Sequence, residues 1–190
     1  MIFEAVITTL NEDASPHIAP MGFRYEGPRV IIAQFRPCRT LSNLERSGEA
    51  VLNLTDNVAI IAGCLTGRCS WPTAPVAAIH GCRLADTLAH LEVRALRVEP
   101  DEPRPRFVCE VVHEQAHRAF QGFNRAQGAV VEAAILVSRL SRLPVAKVDA
   151  EIDYLRAAID KTAGEREREA WAWLMERVQA FRRGRLGDVA

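Results

Sequence analysis

The chain has 190 residues, 48% hydrophobic and 25% charged, with 24 Lys+Arg against 24 Asp+Glu. That length buries a core unaided, as one large domain or one domain with a helical appendage. The balanced charge offers no net basic field, so no nucleic-acid partner is expected. The five cysteines (Cys38, Cys64, Cys69, Cys82, Cys109) are odd in number and lack the framing of a secreted disulfide scaffold. The opening "MIFEAVITTLNED" has no basic leader and reads directly as a strand. The longest strongly apolar run, "VAIIAGCL", is too short to span a bilayer. A cytoplasmic protein without membrane association is therefore expected.

The first two thirds read as strands. "IFEAVITTL" (2–10) places Phe3, Ala5 and Ile7 on one face. After the polar turn "NEDASP", residues 17–27 resume an extended pattern, with His17, Ala19, Met21, Phe23 and Tyr25 on a shared face. "RVIIAQF" (29–35) completes a three-stranded meander. "RTLSNLERSGEA" (39–50) carries helix chemistry, with Leu41 and Leu44 three apart and Gly48 as the stop. "AVLNLTD" (50–56) is another strand, "NVAIIAGCL" (57–65) is either a short helix or a strand, and 66–81 reads as loop. "HLEVRALRVEP" (90–100) and "RPRFVCEVVHEQA" (104–116) form a long hairpin whose alternation slips near Ala95 and Leu96, as at a bulge. About six closely spaced strands without a βαβ rhythm favour an antiparallel barrel or sandwich.

Beyond residue 120 the period changes. Ala129, Ala133, Leu136, Leu140 and Leu143 are spaced 4, 3, 4, 3, and Val148, Ile152, Leu155, Ile159 and Thr162 repeat the spacing. Trp171, Leu174, Val178 and Phe181 follow at 3, 4, 3. These are three amphipathic helices, parted by Pro144 and Gly164. The tail "RRGRLGDVA" is expected to fray. The expected organisation is an α+β chain, with a β domain over 1–119 and a helical domain over 120–190.

Several constellations carry chemistry. In "FRPCRTLSNL" (35–44), Arg36 and Arg39 flank a helix start that Cys38 or Thr40 caps, and Asn43 follows Thr40 on the same face. Free N–H groups, a positive dipole end and two guanidinium groups suit an anion such as phosphate. The alternative is a capped helix with solvated arginines. In "HIAPMG" (17–22), Pro20 marks an edge or distortion, and Gly22 beside Met21 lets a flat ring approach the backbone. The alternative is Met21 in the core and Gly22 in a bulge. Cys64, Cys69, His80 and Cys82 can be written as a zinc set, but their spacing is poor; buried or loose thiols are the plainer reading, and no metal site is assigned. His90, His113 and His117 read as strand-surface residues. Asn124 is a good N-cap, and Asn124 and Arg125 either border a pocket between the domains or cap a helix bearing a Glu132–Arg139 ion pair. No nucleotide loop or nucleophile elbow occurs.

Taken in order, "HIAPMG", "CRTLSNL", "LNLTD", "GFNRAQGAVVEAAILVSRL" (122–140) and "KTAGEREREAWAWL" (161–174) resemble a family of small flavoproteins with an FMN-binding split barrel and a C-terminal three-helix segment. The family is associated with methanogens and tetrahydromethanopterin-linked one-carbon metabolism. The resemblance implies an antiparallel, flavin-reductase-like split barrel, a homodimer with FMN at its interface, and a flavin-dependent oxidoreductase acting on a small molecule. By that resemblance Arg39, Thr40 and Asn43 contact the phosphate, with Cys38 where the family often has Ser. Pro20, Met21 and Gly22 lie along the ring, with His17 where the family often has Asn. His17, Arg36, Asn124 and Arg125 are further pocket candidates. A non-catalytic FMN-binding module and a zinc-stabilised binding protein are the other readings.

Overall fold

The computed structural model describes residues 1–184, and residues 185–190 of the tail expected to fray lie outside the described residues. The chain forms two compact units: Met1–Thr55 with Ser70–Phe120, and Asp56–Cys69 with the residues from Gln121 onward.

The first unit is a barrel of six antiparallel strands: β1 (Phe3–Leu10), β2 (Pro16–Glu26), β3 (Arg29–Ala33), β4 (Glu49–Leu54), and the long pair β7 (Ala89–Glu99) and β8 (Arg106–Ala116). Their order is β1-β2-β3-β8-β7-β4, closed by β4 against β1. The segment 66–81, read as loop, contributes β5 (Thr73–Pro75), which pairs with β6 (Cys82–Leu84) in a separate two-stranded sheet. Period-2 alternation fills the barrel, since Ala5, Ile7, Met21, Phe23, Val30, Ile32, Leu52, Leu91, Val93 and Phe107 all face one core. The register shift between Ala95 and Arg97 is the expected bulge of the long hairpin, and a second shift falls between Glu92 and Val93.

Helix α1 (Arg39–Ser47) bridges β3 and β4 and buries Leu41 and Leu44 in that core, each contributing about 1.5–3 kcal/mol. Gly48 ends the helix at φ 70°, donating its N–H to the Leu44 carbonyl at 2.8 Å. That left-handed backbone is why a glycine stands there.

The second unit begins with the segment that the sequence leaves undecided. It is helix α2 (Val58–Leu65), capped by the Asn57 side chain accepting from the Ala59 N–H. Although it lies within the span read as the β domain, it packs against α3 (Arg125–Val137) and α5 (Glu165–Arg182), with α4 (Val145–Thr162) against α3. An all-round apolar sequence is the mark of a helix buried on every side. The stretch expected as one helix through Leu143 stops at Val137, and Leu140–Arg142 is a 3-10 turn. Glu132 and Arg139 form no ion pair among the described residues, because Arg139 lies beyond the end of α3. No described helix is long and apolar enough to cross a membrane.

Candidate functional site

The ladder partners of β2 locate the opening of the barrel. Pro16–Phe23 pairs with β1, whereas pairing with β3 begins only at Phe23. Residues 16–22 therefore have one edge free of strand partners. Pro20, which cannot donate to a ladder, lies in that half-paired stretch, as an edge proline should. The Met21 side chain points into the barrel core, so its buried reading holds for the side chain. A Cβ on Gly22 would come within 3.0 Å of Ile2 Cγ2, so the glycine first of all admits the chain's own N-terminus.

The free stretch of β2 leads to the start of α1. His17 Nε2 lies 3.1 Å from Thr40 Oγ1. Cys38, not Thr40, is the N-cap, and its side chain makes no capping hydrogen bond. No acidic residue occupies the first turn, so the positive end of the helix is not neutralised locally. Arg39 is exposed and forms no ion pair among the described residues. Burial first, and then the charge of Arg39, hold the His17 imidazole below its usual pKa. His17, Thr40 and Arg39 thus gather around one uncapped helix start.

The remaining predicted residues are engaged elsewhere. Arg36 pairs with Glu45 and with Glu102, the latter at 3.5 Å. Asn43 is buried, and its amide donates to Thr9 Oγ1 at 2.9 Å and Asn11 Oδ1 at 3.2 Å. Both amide protons are spent on the end of β1, leaving none for an anion. Asn124 caps α3, accepting from the Ala126 N–H at 2.8 Å and donating to the Thr162 carbonyl at 3.1 Å. Arg125 is exposed at the start of α3, within the helical unit.

The zinc set is divided between the units, Cys64 and Cys69 in the helical one and His80 and Cys82 in the barrel one. Cys69 and His80 are exposed, and the His80 ring faces Glu49. Burial pushes the Cys109 thiol up to about 12, which makes it an inert core residue.

One cluster escaped the strand-by-strand reading. His90 and Glu92 are 1% and 0% exposed, not surface residues, and His113 lies opposite Glu92 across the β7–β8 ladder. His90 Nε2 is 3.2 Å from Glu92 Oε1, and its Nδ1 is 2.9 Å from His117 Nε2. The usable signal was the hairpin register, which brings "HLE" beside "VVHEQAH".

An antiparallel barrel split along one strand, with a helix start beside the split, is the flavin-reductase-like fold. The chain belongs to the DUF447 family: its "protein of unknown function (DUF447) N-terminal domain" matches residues 3–118, and the DUF447 C-terminal model matches 124–176. Among solved structures, the FMN-bound DUF447 protein MM1853 from Methanosarcina mazei is similar at TM-score 0.81 and 17% identity, covering 93% of this chain and 94% of that one. The 2-nitrobenzoate 2-nitroreductase NbaA of Pseudomonas fluorescens aligns at TM-score 0.54 and 21% identity over 60% of this chain and 64% of its own. The styrene monooxygenase flavin reductase of Pseudomonas putida S12 aligns at TM-score 0.53 and 14% identity, over 60% and 81%. Comparison with curated proteins by sequence gives no match.

Proposed function

We propose that the chain binds FMN, with the phosphate at the start of α1 and the ring along the half-paired stretch of β2, and acts as a flavin-dependent oxidoreductase. The observation that carries this reading is the uncapped helix start beside the split, with Arg39 free of any ion pair among the described residues. The fold it sits in is shared with an FMN-bound member of the same family.

The residues fit a phosphate monoester. Arg39 supplies charge, and the first-turn N–H groups supply donors and the dipole. A neutral His17 that donates its Nε2–H to Thr40 Oγ1 leaves the Thr40 hydroxyl proton for the anion. Asn43 supports this corner from behind by holding Thr9 and Asn11. When bound, FMN supplies the redox chemistry, and the chain positions it and excludes water. In this reading a second copy of the chain covers the other side of the ring. The substrate is a small molecule, of the tetrahydropterin or one-carbon class by the family's association.

The test is flavin selectivity. Arg39→Ala and Thr40→Val should each weaken FMN about 10–100-fold, the cost of a charge-assisted hydrogen bond, and leave riboflavin unchanged. Equal losses for both flavins would remove the phosphate from α1. A colourless preparation that takes up no added FMN would end the whole reading. Anaerobic bleaching by NAD(P)H separates an oxidoreductase from a non-catalytic FMN module.

A further inference from the structure

We propose that His90, Glu92 and His113 form a binding site for a divalent first-row transition ion on the barrel, with His117 orienting His90 from behind. This site is independent of the flavin reading, since it uses none of the residues at α1 or the free stretch of β2.

The topology assembles the donors. His90 and Glu92 are two apart on β7 and so share one face. The ladder sets His113 opposite Glu92. One nitrogen from each imidazole and one carboxylate oxygen lie within 4.8 Å of one another. Rings of His90 and His113 have centroids 5.8 Å apart at 50°, and His90 stacks on His117 at 5.0 Å. His90 Nε2 and Glu92 Oε1 already stand 3.2 Å apart, a separation that suits two donors sharing one ion at about 2.0–2.2 Å.

Their surroundings fix these groups as outer partners fix metal ligands. Glu92 accepts the backbone N–H of Ala77 at 2.8 Å on Oε1, and those of Ala78 and Ile79 at 2.6 and 3.2 Å on Oε2. On binding, the proton of His90 moves from Nε2 to Nδ1 and is donated to His117 Nε2, while His117 carries its own proton on Nδ1 instead of Nε2. The ion then replaces the hydrogen bond between His90 Nε2 and Glu92 Oε1, and no proton need be lost. Two imidazoles and one carboxylate suit Zn²⁺, Fe²⁺ or Co²⁺ and leave coordination positions for water or an outside ligand.

The probe is Co²⁺, added to full-length protein treated first with a chelator. One equivalent should bind and give visible d–d absorption without the near-ultraviolet band of a thiolate ligand. His113→Ala, at a half-buried position, should weaken binding at least as much as His117→Ala. The latter should cost about 10–100-fold, as loss of an outer partner does. His80→Ala should change nothing. A thiolate band, no stoichiometric uptake, or equal affinity in His113→Ala would overturn the site and leave a hydrogen-bonded Glu–His–His relay. The spectrum of the unmodified protein decides the question even if a variant fails to fold.

Discussion

Asn43 was grouped in the sequence with residues that face an anion and His17 with those beside the ring, and their hydrogen bonds separate their tasks. His17 is half-buried against Thr40, and burial together with Arg39 lowers its pKa. A group depressed in the folded state contributes stability above its unfolded pKa of about 6.5, and that contribution is lost as pH falls through the folded value. An NMR titration should therefore place His17 below 6.5, and Arg39→Ala should raise it only part of the way, because burial is the larger cause. A midpoint unmoved by Arg39→Ala would contradict the proximity of the two groups. For Asn43, whose amide serves Thr9 and Asn11, Asn43→Ala should destabilise the fold by about 1–3 kcal/mol in urea. The FMN-to-riboflavin selectivity should stay unchanged. The residue types at this corner were legible in the sequence. The direction of each side chain was not, because a helix face and a strand end meet only in three dimensions.

Helix α1 presents Leu41 and Leu44 to the core and its N-terminus to the split of β2. Its exit depends on Gly48 at φ 70°, where an added Cβ meets nothing within 4 Å. The cost of a side chain there is therefore backbone strain alone. Gly48→Ala should cost about 1–2 kcal/mol in denaturant unfolding, and Gly48→Asn less, since Asn tolerates the left-handed region. Equal costs for Ala and Asn would point to a clash instead. This helix was readable from the leucine spacing and the glycine stop. α2 was not, since eight apolar residues fit a buried strand as well as a buried helix. Packing against α3 and α5 decided it.

At the scale of the whole molecule, the chain leaves the barrel after Thr55, contributes α2 to the helical unit, and returns at Ser70. Truncation after residue 120 would keep α2 but remove α3 and α5, which bury Val58 through Ala62. The truncated chain should bind the dye ANS strongly and self-associate in gel filtration. Adding Ile60→Gln and Ile61→Gln should reduce both effects; dye binding unaffected by those changes would place the exposed surface elsewhere. The sequence by itself determined the two architectures, because period 2 and period 3.6 are local properties that a linear reading detects. It also determined the chemistry gathered at α1, since Arg39, Thr40 and the helix start are neighbours along the chain. Only the tertiary structure decided which residues meet across elements. Strand register brought His90, Glu92, His113 and His117 together, and the packing of α1 beside β1 set the Asn43 amide against Thr9 and Asn11. Such meetings depend on contacts between residues distant along the chain, 27 positions for His90 and His117 and 34 for Asn43 and Thr9, which no local pattern encodes.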